Sequence, residues 1–133
     1  ILELQHNGEK LKRDLDCVQP VLSADELVAL REAVQQVHLD KKLLEYIAQI
    51  VGETRTNKSL YLGASPRASI ALLNSSKALA ALRGRGFVTP EDVQELAPVV
   101  LRHRILLTPE REMEGLTTDD VIKQIIQKIE VPR

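Results

Sequence analysis

Aromatic side chains are almost missing from this sequence. Tyr46, Tyr61 and Phe87 are the whole set, 2% of 133 residues, and there is no tryptophan. The apolar content rests instead on Leu, Val, Ile and Ala, of which Ala and Leu favour helix. That composition predicts an all-α core built without large rings. It also leaves few stacking platforms for single-stranded nucleic acid. Cysteine is confined to Cys17, which excludes an internal disulfide and a thiolate zinc cluster and fits a reducing cytoplasm. No apolar run approaches the roughly 18 residues of a membrane span, and no signal-peptide pattern is present, so no membrane insertion is expected. The formal net charge is −1, so no chain-wide field gathers nucleic acid or a lipid surface.

Chemical signatures are missing too. The sequence holds no G-x-x-x-x-G-K-[ST] loop, no H-E-x-x-H and no G-x-S-x-G. His6, His38 and His103 are scattered, no pair has ligand spacing on a helix, and no metal site is expected. Asp119-Asp120 reads as acidic charge at a helix N-terminus. A self-contained active site is therefore not expected.

What is present is a series of helix starts. Ser23 followed by Glu26 is a capping box opening a helix near 24–37, with Leu27, Leu30, Val34 and Val37 at helical spacing. Asp40 caps a second, with Leu43, Leu44, Ile47, Ile50 and Val51 on one stripe and Gly52 weakening its end; residues 53–62 read as a polar loop. Ser65 and Pro66 open the third and longest, to about residue 83, with Ile70, Leu73, Leu79 and Leu82 expected inward. Ala68, Ala71, Ala78, Ala80 and Ala81 permit close packing there, and Gly84 and Gly86 stop the helix. Thr89-Pro90-Glu91-Asp92 starts a fourth, carrying Val93, Leu96, Val100 and Leu101, which Pro98 is expected to split into two short pieces. Ile105–Leu107 reads as a short extended segment, and 108–116 as a polar loop. Thr117 caps the last helix, with Val121, Ile122, Ile125, Ile126 and Ile129 in one stripe. The sum is a compact helical bundle of roughly five helices over 20–130. Residues 1–18 read as the tail of something larger, and the start at Ile1 rather than Met predicts residues upstream.

Charge is uneven. Between Tyr61 and Arg104 stand six bases (Arg67, Lys77, Arg83, Arg85, Arg102, Arg104) and three acids (Glu91, Asp92, Glu95), a surplus of +3 against −4 for the remainder. The surplus begins at Arg67, immediately after Ser65 and Pro66. A helix N-terminus carries partial positive charge, so a cation there is disfavoured unless an anion lies between. The residues alone leave two readings of Arg67: a side chain bent into water, or a fork for phosphate oxygens. Arg83 and Arg85 flank Gly84 at a helix end, where cations complement the dipole; a subunit contact is the alternative. Arg102 and Arg104 read as helix C-terminal charge or an interdomain contact.

The run over 62–105 resembles the C-terminal helical region of MoxR-type AAA+ ATPases. Its motifs occur in order: G-A-S-P-R, L-R-G-R, V-T-P-E-D-V and V-L-R-H-R, preceded by Q-P-V-L-S-A-D-E-L at 19–27. The resemblance implies an AAA+ lid at 19–133, with 1–18 as the end of the α/β core. It implies that Arg67 is the sensor-2 arginine that reaches the nucleotide phosphates, aimed by Ser65 and Pro66. ATP and Mg²⁺ would then be bound mainly by an upstream α/β domain, since the phosphate loop, the acidic motif and the arginine finger are not in this sequence. The implied activity is ATP hydrolysis by the longer protein and none by this piece alone. The implied partners are that domain, ring neighbours and client proteins, von Willebrand A-type domains among them, in chaperone-like remodelling, with Arg83, Arg85, Arg102 and Arg104 as candidate subunit or interdomain contacts. Outside the resemblance, a helical nucleic-acid-binding module rests on the +3 segment, and a passive helical adaptor is the blandest alternative.

Overall fold

The structure is a computed structural model and describes residues 18–132 together with His6. The expected tail of an α/β core at 1–18 lies almost wholly outside the described residues. The described residues divide into two units, with the boundary between Glu32 and Ala33. Helix α1 (Ala24–Gln35) starts in the first of them. Its capping box forms as the sequence predicts: the Ser23 N–H donates to Glu26 at 2.7 Å, and the Glu26 N–H donates to Ser23 Oγ at 3.2 Å.

The second unit holds α2 (Lys41–Thr56), β1 (Leu60–Leu62), α3 (Pro66–Leu82), α4 (Pro90–Leu101), β2 (Leu106–Leu107), α5 (Pro109–Met113) and α6 (Thr118–Lys128). The described residues are mostly helical, as composition predicts. Helix α3 packs on α2 and α4, and α6 packs on the same two helices. Between them lies the core, which includes Ile47, Ile50, Val51, Leu72, Val93, Leu101, Val121 and Ile122. The one large ring in it is Tyr46, whose hydroxyl accepts a hydrogen bond from Gln94 Nε2 at 3.1 Å. Tyr61, by contrast, is 78% exposed.

The caps explain the element boundaries. The Lys42 N–H donates to Asp40 at 2.7 Å, and Thr89–Asp92 and Thr117–Asp120 close capping boxes. Gly84 takes φ +70°, the left-handed conformation that ends α3 and lets the Arg85 N–H reach the Ala80 carbonyl at 2.9 Å. A parallel bridge follows: the His38 N–H donates to Gly86 O at 2.9 Å and the Val88 N–H to His38 O at 3.0 Å.

Four local expectations are corrected. Helix α2 runs through 53–56 instead of yielding to a loop, because Thr54 continues the buried series of Ile47, Ile50 and Val51. Pro98 does not split α4; it sits in the last turns, where burial of Val93, Ala97 and Leu101 outweighs one missing hydrogen bond. The polar stretch 108–116 contains the short helix α5. The inward face of α3 is Ala68, Leu72, Ser76 and Ala80, whereas Ile70 and Leu82 are exposed. In addition, Leu106 and Leu107 find an antiparallel partner in β1, with Leu60 opposite Leu107 and Leu62 opposite Leu106.

Candidate functional site

Arg67 lies in the first turn of α3 and is exposed. Among the described residues its side chain has no ion pair and no hydrogen bond. Ser65 occupies the N-cap position with extended backbone, φ −76° and ψ 163°, and Pro66 is the first helical residue. The Ser65 side chain makes no capping hydrogen bond; Pro66 has no N–H and the Ala68 N–H donates to Ser65 O at 2.8 Å, so among the described residues the Arg67 N–H is the first-turn donor left to solvent or an anion. Among the described residues, then, a guanidinium without a partner and a helix end without a side-chain cap share one surface.

The start of α3 is held from outside the helix. Thr54, 1% exposed at the end of α2, donates through Oγ1 to Val51 O at 2.6 Å and accepts from the Ala64 N–H at 2.9 Å. The neighbouring Arg55 donates through Nε to Ala64 O at 3.1 Å. At Gly63 a Cβ would stand 2.5 Å from Thr54 O and 2.6 Å from Arg55 Cα. Only a glycine lets the chain run this close to α2. Neither Thr54 nor Arg55 stands out in the sequence, since both lie in a polar stretch that reads as loop. The spacing 47, 50, 51, 54 was the signal that places Thr54 on the buried stripe.

The other basic residues are not gathered around Arg67. Arg83 and Arg85 converge on Asp92, whose side chain is fully buried. Arg83 reaches it at 3.0 Å and also pairs with Glu95 at 2.8 Å; Arg85 reaches Asp92 at 2.6 and 2.8 Å and donates to Phe87 O at 3.2 Å. The Thr89 N–H adds a donor to Asp92 at 2.9 Å. The Arg85 hydrogen bonds first, then the Thr89 N–H, hold the Asp92 carboxyl down at about 2 against the opposing effect of burial. Asp92 thus caps α4 and fastens the end of α3 to it. Arg102 pairs with Asp119 at 3.1 Å, joining the end of α4 to the start of α6. Arg104 is half-buried and donates to His103 Nε2 at 3.2 Å. Lys77 donates to Gln35 O at 2.8 Å. Three of the six bases of the +3 segment are therefore ion-paired within the chain, and they form no open basic stripe.

Comparison with known proteins bears on the same region. A family model described as the AAA lid domain matches residues 52–125. The chain is 37% identical over 132 residues to the Bacillus subtilis protein YeaC, covering 99% of this chain and 40% of that protein. It is 33% identical over 122 residues to Chaperone MoxR1 of Mycobacterium tuberculosis, covering 85% of this chain and 32% of the chaperone. Among solved structures, a candidate ATPase from Cytophaga hutchinsonii superposes with a TM-score of 0.81 at 31% identity, covering 94% of this chain and 42% of that one. The chain spans between 32% and 42% of the length of these relatives.

Proposed function

This chain belongs to the AAA lid domain family, in its MoxR-type form, and from that premise we propose that it is the nucleotide-sensing lid of a AAA+ ATPase, with Arg67 as the residue that meets the phosphates. The observation that carries the reading is Arg67 itself: a guanidinium without a partner among the described residues, on the first turn of a helix whose cap is open. The local field disfavours a cation there, and a phosphate brought between guanidinium and helix end reverses the sign of that term. In a phosphoryl transfer the same fork stabilises charge on the transferred group.

The residues present fit one arm of a phosphate site. They do not fit a metal centre: among the described residues no three His, Cys, Asp or Glu side chains cluster. Mg²⁺ would enter with ATP on an α/β domain, to which residues 1–18 would lead, with the lid over 19–133. Ser65 and Pro66 contribute by setting the backbone entry to α3. Arg83, Arg85 and Arg102 act first inside the lid, where their carboxylate partners keep the helix ends in place. Arg104, which has no carboxylate partner among the described residues, is the better candidate for contact with a ring neighbour or the α/β domain. Coupling to chaperone-like remodelling of client proteins is supported by the similarity to a chaperone; von Willebrand A-type domains as clients are proposed on the sequence resemblance alone. Nucleotide use by the longer protein is supported by the similarity to a candidate ATPase.

Arg67→Ala in the longer protein is expected to lower ATP turnover by at least about tenfold, the scale of losing one charge-stabilising donor. The same substitution in this chain should change folding stability by no more than about 0.5 kcal/mol, as for an exposed side chain without contacts. Steady-state hydrolysis and a thermal melt measure the two effects. Unchanged turnover overturns the assignment of Arg67.

A further inference from the structure

We infer that Thr54 is a positioning residue for Arg67, acting through a clamp on Ala64 that Gly63 makes possible; the inference rests on the sensing role proposed for Arg67. Helices usually fix their own first turn with a side-chain cap. Here Ser65 supplies none. The residue before it, Ala64, is 1% exposed and has both backbone polar groups bound by α2: its N–H by Thr54 Oγ1 at 2.9 Å and its carbonyl by Arg55 Nε at 3.1 Å. Thr54 is in turn locked by its own bond to Val51 O at 2.6 Å. Gly63 brings the strand-to-helix turn against the α2 backbone at a distance that no Cβ permits.

Ala64 lies three residues before Arg67, so what holds Ala64 sets where the α3 axis begins. It also sets where the guanidinium projects. The end of α2 is consequently part of the apparatus that aims Arg67, although none of its side chains need touch nucleotide. Small displacements of a charge-stabilising group are costly in rate, which is why a buried hydroxyl two elements away governs turnover.

The test uses the longer protein and four variants: Thr54→Val, Thr54→Ser, Arg67→Ala and the Thr54→Val/Arg67→Ala double. Valine keeps the shape of threonine and removes the hydroxyl; serine keeps the hydroxyl. Expected are a loss in kcat of about tenfold for Thr54→Val, and a return to within about twofold of wild type for Thr54→Ser. The double variant should be no slower than Arg67→Ala alone, because residues acting as one unit do not add. If Thr54→Val does not fold, Arg55→Met removes the second arm of the clamp while keeping the stem, and the same comparison with Arg67→Ala is made. Wild-type kcat in the clamp variant, or losses that multiply with Arg67→Ala, would overturn the inference while leaving the sensor reading intact. Wild-type kcat in Arg67→Ala would overturn the sensor reading and this inference with it.

Discussion

Asp92→Ala is expected to destabilise the folded chain by about 3–5 kcal/mol, the cost of breaking a buried ion pair from one side. The size follows from how many groups depend on that carboxylate. It receives Arg83, both forks of Arg85 and the Thr89 N–H, so its removal takes away one half of the α4 capping box, leaves Arg85 without its carboxylate partner and leaves Arg83 with Glu95 alone. Urea unfolding at neutral pH measures the loss, and a change below about 1 kcal/mol would show that the cluster is ornamental. A pH series supplies an independent check. The folded carboxyl sits at about 2 against an ordinary 3.8, so the folded state favours the charged form. Its contribution is complete above the ordinary value and is lost as pH falls from about 4 to about 2, amounting to about 2 kcal/mol. The wild-type chain should weaken across that window, and Asp92→Ala should weaken less.

Leu72→Ala is expected to cost about 2–5 kcal/mol, whereas Leu82→Ala on the same helix should cost no more than about 0.5 kcal/mol. Leu72 is fully buried in the core, and Leu82 is 86% exposed. In the former case a cavity opens in a core assembled mostly from mid-sized aliphatic side chains. Paired denaturant curves measure both. The opposite ranking would require α3 to be rotated about its axis, which would also carry Arg67 away from the surface it occupies.

That pair of leucines shows where the sequence was opaque. Helix α3 is dense in Ala and Leu on every side, so hydrophobic spacing alone offers several inward faces, and the one that pairs Ala68, Leu72, Ser76 and Ala80 contains a serine. Caps were far more legible. Ser23, Asp40, Thr89 and Thr117 each stand where a helix begins, because short polar side chains compete for the same unpaired N–H groups wherever they occur. Arg67 was legible as an electrostatic oddity and through the G-A-S-P-R run. Thr54 was not, because a threonine next to Glu53 and Arg55 resembles loop composition until its spacing to Ile50 and Val51 is considered. The three-way tie of Arg83, Arg85 and Asp92 was hidden for another reason: it joins residues on both sides of a turn, and no one-dimensional pattern encodes that approach. The strand pair was half legible, since Ile105–Leu107 looks extended but its partner at Leu60–Leu62 lies across two helices in sequence.

The contrast between the two tyrosines gives the chain an optical identity. With no tryptophan in the sequence, its intrinsic emission comes from one phenol locked to Gln94 in the interior and one in water on β1. Unfolding should therefore alter the ultraviolet signal of Tyr46 and leave that of Tyr61 nearly unchanged, making Tyr61→Phe a silent substitution that isolates a single buried reporter. A tryptophan placed at position 61 would, conversely, be the only indole in this chain, one element upstream of Arg67, and its emission would record what approaches the open end of α3.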